Sequence, residues 1–253
     1  IQKTIALCPE TKADIKSSII DLRTKRIGLQ NLEIKHDFSK DISKIDETIE
    51  ALKNIRNLDL KPSIALEKWV NIALNIINDS LLIKPNSIVG DDNEPTFTAP
   101  AGVPDIECFY ENFNSICEVT MLKGRDQWYN EGQPVMRHLR AFEKANTDKD
   151  CYCLFVAPSL HIDTVSTYFM SVKYAYDGIS QKIIPITIAQ LVELLKTVSL
   201  FRQANMEFKH SYIKDFYDKI LKIADQNSSH SAWIAEIPNA LNNWKEEMRI
   251  LVA

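Results

Sequence analysis

Two carboxylates sit where a purely structural hairpin has no need of them. In Pro104-Asp105-Ile106-Glu107-Cys108-Phe109-Tyr110, Asp105 opens a candidate strand. In Ser115-Ile116-Cys117-Glu118-Val119-Thr120, Glu118 lies deep in the next one. Glu118 is flanked by Cys117, Val119 and Met121, an apolar setting in which an unpaired carboxylate is costly. The pair therefore asks for a cation, either a metal ion or a basic side chain. An acid at the start of one strand and another on its neighbour can converge on a single ion, and hard oxygen ligands suit Mg²⁺. Such a centre serves metal-assisted hydrolysis of a phosphodiester. Asp105 after Pro104 also fits a plain turn residue, so the pair carries the reading and neither acid alone does.

Two further acids fit the same centre. Glu131 opens the helix after the hairpin, with His138 two turns later on the same face. A first-turn acid is also favoured by the helix dipole alone. Glu67 sits on an apolar helix before the hairpin, where a glutamate is ordinarily solvated. Arg137, Arg140 and Lys144 recur at helical spacing and are candidates for phosphate contact. Glu107 and Glu111 read as a strand-face acid and a turn acid. His36, His161, His210 and His230 have no companions at metal-ligand spacing.

The elements that must position these groups follow from periodicity. Ile42, Ile45, Ile49, Leu52 and Ile55 mark an amphipathic helix that Asp41 or Ser39 can cap. Pro62 suits the start of a second helix over about 63–78. The prolines and glycines of 84–104, with Asp91-Asp92, predict a loop. Strands at about 105–110 and 115–121 follow, with 111–114 as the turn. Gly124-Arg125-Asp126-Gln127-Trp128 is either a loop along a DNA backbone or a helix entry capped by Asp126. A polar helix then runs to about Asn146. Strands at 152–157 and 183–187 alternate with helices at about 162–177 and 187–203, an α/β order, and helices at about 206–225 and 232–251 close the chain.

Bulk properties set the frame. The 253 residues are 45% hydrophobic and 25% charged, ordinary for a globular core. No apolar run approaches a membrane span, and Ile1-Gln2-Lys3-Thr4-Ile5 lacks the pattern of a secretory leader. An opening Ile rather than Met suggests a piece of a longer protein. A formal charge of −4 does not exclude a nucleic-acid partner, because carboxylates gather at a metal site while basic residues form a stripe. The five cysteines, Cys8, Cys108, Cys117, Cys151 and Cys153, lack paired CxxC spacing, which argues against disulfides and structural zinc. Cys151 and Cys153 share one strand face and read as core. A reducing cytoplasm fits.

Pro104-Asp105 followed by Glu118-Val119-Thr120 resembles the PD-(D/E)xK nuclease signature. The longer string EVTMLKGRDQWYNEGQPVMRHL, Glu118 to Leu139, is similar to the AlwI-type Type IIS restriction endonucleases and their nicking relatives. That group includes large subunits of heterodimeric endonucleases that cut one strand by themselves. The resemblance spans about residues 60–200 and is nearest to the cleavage part of the GAGTC-recognising group.

The resemblance implies a restriction-endonuclease-like core: a mixed sheet flanked by helices, with an amino-terminal helical segment. Residues 1–60 would be a helical linker and residues 61–253 the DNA cleavage domain. Asp105 and Glu118 would hold Mg²⁺, which Mn²⁺ can replace, with the Val119 carbonyl and Glu67 as further ligands. Glu67, Glu131 and His138 match the family's other active-site positions. Lys123, Arg125, Arg137 and Arg140 become candidates for DNA phosphates. Double-stranded DNA is the expected partner, together with a small nuclease subunit and an amino-terminal recognition region not present in this chain. A bacterial cytoplasm is the expected setting, with no membrane. The departure from the superfamily pattern is Thr120, which stands where a lysine is usual. It leaves the source of the cation to Lys123 or His138, and supports an alternative in which the chain is a catalytically silent module that binds DNA or docks a subunit.

Overall fold

Asn114–Val119 and Cys151–Ala157 are buried along their whole length, as strands are when helices cover both faces of a sheet. The computed structural model describes residues 12–38, 41–77, 79–90 and 94–253. Its elements are helices α1 (Lys12–Phe38), α2 (Ile42–Lys53) and α3 (Pro62–Ile76), then strands β1 (Leu82–Pro85), β2 (Ile88–Val89), β3 (Pro95–Phe97), β4 (Ile106–Phe109) and β5 (Asn114–Val119). After these come α4 (Gly124–Ala145), β6 (Cys151–Ala157), α5 (Ile162–Lys173), β7 (Ile183–Thr187), α6 (Ile188–Gln203), α7 (His210–Gln226) and α8 (His230–Val252). Five strands form one mixed sheet in the order β1-β4-β5-β6-β7. The β1/β4 and β4/β5 pairs are antiparallel, and β5/β6 and β6/β7 are parallel.

Side-chain alternation sorts the core into two layers. Phe109 and Phe155 point to one face, where Phe142 of α4 and Tyr168 of α5 meet them at ring separations of 5.7 and 5.2 Å. Tyr152 points to the other face and packs on Tyr217 of α7. The four cysteines of the strands, Cys108, Cys117, Cys151 and Cys153, are free and buried, as their spacing suggested. Helix α2 packs along α6 and α3, and its Ile45, Ile49 and Leu52 join the same hydrophobic core as the sheet. Asp41 caps it by accepting the Ser43 N–H at 2.9 Å. The capping alternative Ser39, the loop pair Asp91-Asp92, Cys8 and the side chain of His36 lie outside the described residues.

One expectation is corrected. The sequence predicts a loop throughout 84–104, but the end of the sheet's edge strand β1 and the short β2–β3 ribbon take about a third of this region. Proline punctuation misleads here because an edge strand needs only half of its backbone groups paired. Pro85 closes β1 at that edge, Ile83 is fully buried, and Lys84 pairs with Glu107 of β4 at 2.5 Å. Pro185 is tolerated in β7 for the same reason, at the opposite edge. Among the described residues no helix is long and apolar enough to cross a membrane.

Phe155 is fully buried and lies directly beside Glu118 in the parallel ladder. Phe155→Ala should lower stability by about 3–5 kcal/mol through the lost burial and the cavity left behind. Urea unfolding followed by circular dichroism measures it.

Candidate active site

The register of the hairpin places the two central acids. Ile106 pairs with Cys117 and Glu107 with Ile116, so Asp105, one residue before Ile106, stands opposite Glu118 on the same face. Backbone hydrogen bonds fix both. The Val119 N–H donates to Asp105 Oδ2 at 2.7 Å, and the Asp105 N–H donates to the Glu118 carboxyl. Asp105 is partly buried and Glu118 almost wholly so.

Two helices bring the remaining groups. The broad apolar face of α3 takes Glu67 down with it, leaving that residue only 4% exposed. There the Ala99 N–H donates to Glu67 Oε2 at 3.1 Å and ties the 98–103 loop to the helix. On α4, Glu131 and His138 lie on the face turned towards β5. His138 Nδ1 is 2.8 Å from Glu118 Oε1, and the Thr120 side chain is hydrogen-bonded to the Glu131 carboxyl. Buried side chains hold α4 in this rotation. Gln127 donates to the Leu122 and Ser159 carbonyls and accepts the His161 N–H, Gln181 donates to the Met136 carbonyl, and the Tyr168 hydroxyl donates to the Glu131 carbonyl.

Glu67, Asp105, Glu118, Glu131 and His138 thus line one cleft of about 1110 Å³, together with Val119 and Thr120. Its electrostatics are those of a site lacking its counter-charge. Burial is the main cause that raises the carboxyls of all four acids, and Glu67 reaches about 8. Their mutual repulsion adds to this: Asp105 raises Glu67, Glu118 raises Asp105, and Glu131 raises Glu118. Burial and the nearby Arg137 push the His138 imidazole down, favouring its neutral form.

No three His, Cys, Asp or Glu side chains among the described residues are gathered into a ready ligand group. The donor set nevertheless suits a hard divalent cation: four carboxylates, with Asp105 and Glu67 each keeping one oxygen clear of its bond to a backbone N–H.

Not every candidate reaches the cleft. Arg137 lines it, whereas Lys123 and Arg125 are exposed and do not. Arg140 is buried and committed to Glu143 and to the carbonyls of Tyr176 and Ile179, which takes it out of the phosphate-binding set. Lys144 pairs with Asp177 at the surface. Asp126 lies in the first turn of α4, not at its cap, which is Lys123 with no side-chain bond. Glu107 is held by Lys84, and His210 is a core histidine paired with Asp79 and packed on Tyr110. Two cleft residues went unnoticed in the sequence, Arg56 and Lys61. Their only signal is a position just ahead of the helix that carries Glu67.

Residues 7–194, more than half of the chain, match the family described as AlwI restriction endonuclease, and the chain belongs to that family. The fold is similar to the crystal structure of the small subunit of the heterodimeric restriction endonuclease R.BspD6I, with a TM-score of 0.66 and 20% sequence identity. That similarity covers 77% of this chain and 98% of the other, and it bears out the expected restriction-endonuclease-like core. No curated protein matches the sequence.

A carboxyl raised in the folded chain keeps a proton that the unfolded chain has already lost. In EDTA the cleft acids should therefore cost stability as pH climbs from the ordinary glutamate value of 4.5 towards the Glu67 value of about 8. Mg²⁺ should raise the melting temperature more at pH 8 than at pH 5.5, and Glu67→Gln should flatten the metal-free decline. Calorimetric melts across that window test this, and a decline as steep in the variant as in the wild type would remove Glu67 as its source.

Proposed function

We propose that this AlwI-family chain is the cleavage unit of a Type IIS restriction or nicking endonuclease, a Mg²⁺-dependent hydrolase of DNA phosphodiesters. The carrying observation is the convergence of Asp105, Glu118, Glu67 and Glu131 on one cleft, where burial and mutual repulsion leave them short of a cation. Asp105 and Glu118 would hold the ion, with Glu67, Glu131 and the Val119 carbonyl completing its surroundings. When bound, the ion polarises phosphoryl oxygens and eases deprotonation of water. Mn²⁺ fits the same donors.

The chain's own residues supply the rest. The Val119 N–H orients Asp105, and the Ala99 N–H orients Glu67. Once Glu118 is ionised its contact with His138 must run from Nδ1–H to the carboxylate, because two acceptors cannot bond. Nε2 then carries the lone pair, and a neutral imidazole is suited to take a proton from water at that atom. Arg137 contacts phosphate. Reading of the target site, of the GAGTC type by the motif likeness, falls to a region outside this chain, and a small nuclease subunit is the proposed partner for cutting the second strand.

A second reading has its own support. Thr120 stands where PD-(D/E)xK enzymes carry lysine, and the structural likeness is to a small subunit of a heterodimer. Both suit a nuclease-fold module that binds DNA or docks a subunit without cutting.

Nicking of supercoiled plasmid at low salt and high protein concentration separates the two. Wild type should convert plasmid to open circle in Mg²⁺ and not in EDTA. Asp105→Ala and Glu118→Ala should each lower the rate by at least about 100-fold, in the range seen when transition-state electrostatics are removed. A wild type that neither nicks nor binds Mg²⁺ by calorimetry would leave the silent module as the better account.

A further inference from the structure

The cleft is also lined by cations that pair with no carboxylate among the described residues. Arg56 lies in the short 3₁₀ turn Ile55–Asn57 after α2, and Lys61 immediately precedes α3. Both line the cleft, as does Arg137. Elsewhere basic side chains commonly sit within ion-pair distance of an acid, as do Lys53, Lys68, Lys84, Lys182 and Lys245. Arg56, Lys61 and Arg137 have no such partner among the described residues, although four carboxylates share their cleft. Opposite charges that line one cavity without pairing leave room between them. An anion that brings its own cation, such as a phosphate with a divalent ion, fits between two such banks.

The hairpin offers no cation of its own. Thr120 bonds Glu131 and accepts the Leu122 N–H at 3.1 Å, and Lys123 stays outside the cleft. Arg137 stands beside His138 on the α4 side, where its charge already acts on the imidazole. The α2–α3 turn is the other basic bank. A second groove of about 560 Å³, lined in part by Lys53, Asn54, Asn57 and Lys196, shares Arg56 and Met121 with the cleft. Arg56 therefore stands where the two hollows join, on the path of a strand leaving the acids.

We propose that the α2–α3 turn is the phosphate clamp of the site: Lys61 contacts the phosphate being cleaved, and Arg56 contacts the next phosphate of the same strand as it passes into the second groove. This rests on the nuclease reading above for the chemistry of Lys61, but not for the contact itself. Arg56 and Lys61 are both exposed and Lys61 makes no capping bond, so replacing them leaves the fold intact.

Two measurements test the clamp on Lys61→Ala, Lys61→Arg, Arg56→Ala and the double alanine variant of Arg56 and Lys61, with Lys123→Ala beside them. In plasmid nicking with Mg²⁺, Lys61→Ala should lose about 100-fold in rate and Lys61→Arg should recover most of it. In binding of a short DNA duplex with Ca²⁺, the slope of log affinity against log salt should shrink by about 1 for each alanine introduced. A wild-type rate in Lys61→Ala with an undiminished slope overturns the clamp, as does a loss confined to Lys123→Ala. A wild type that does not nick sinks the nuclease reading alone. The slope then decides the clamp: shrinkage supports it, and an unchanged slope in the double variant rejects it.

Discussion

The structure turns on the burial of two carboxylates that face one another from adjacent strands. Asp105 and Glu118 share a sheet face because β4 and β5 pair in one register, and a slip by one residue would send every side chain of either strand to the opposite face. The register is therefore part of the chemistry. It is held by the apolar sides of the same strands: Ile106, Cys108, Cys117 and Ile116 are all buried, and Phe155 lies beside Glu118 in the next strand. The core that stabilises the protein is also what keeps two like charges together in a poorly solvated place. Their repulsion is a standing cost that hydrogen bonds from Val119, Asp105 and His138 offset only in part.

Around this pair the remaining groups arrive on separate elements, each anchored by its own packing. Glu67 comes on α3, whose buried face runs from Ile64 to Ile76, and Glu131 with His138 comes on α4, whose rotation is set by Gln127, Gln181 and Tyr168. The turn between α2 and α3 is fixed because both helices it joins are fixed: Ile45, Ile49 and Leu52 of α2 are core residues packed towards α6. A helix that looks like an accessory in sequence thus presents Arg56 to the same cleft. Pre-organisation of this kind matters because a misplaced group loses most of its electrostatic effect.

The acid side of the site could be read from the chain, and of the basic side only Arg137 could. Asp105, Glu118, Glu131 and His138 fall within one hairpin and the helix after it, so strand alternation and the helical repeat suffice to bring them together. Glu67 needed the family likeness, since a glutamate on an amphipathic helix ordinarily faces water. Arg56 and Lys61 enter through the packing of α2 on α6 and α3, a long-range fact with no local periodicity. Arg140 misled in the opposite direction. It recurs at the right helical spacing, yet it faces the carbonyls of Tyr176 and Ile179 and serves the fold. Pro85 and its neighbours concealed β1, because the rule that prolines break strands is weakest at a sheet edge, where β1 lies.

Thr120 explains why the cleft divides its charges as it does. A lysine at that position would sit among Asp105, Glu118 and Glu131 and neutralise them within the hairpin, lowering their carboxyls to ordinary values. A hydroxyl does less. It bonds Glu131 without cancelling its charge, so no cation within the hairpin offsets the four acids. The cations that line the same cleft stand on elements outside the hairpin, Arg56 and Lys61 at the α2–α3 turn and Arg137 on α4. With threonine in place of lysine in the hairpin sequence EVT, the cations of the cleft come from α4 and the α2–α3 turn instead of from the hairpin.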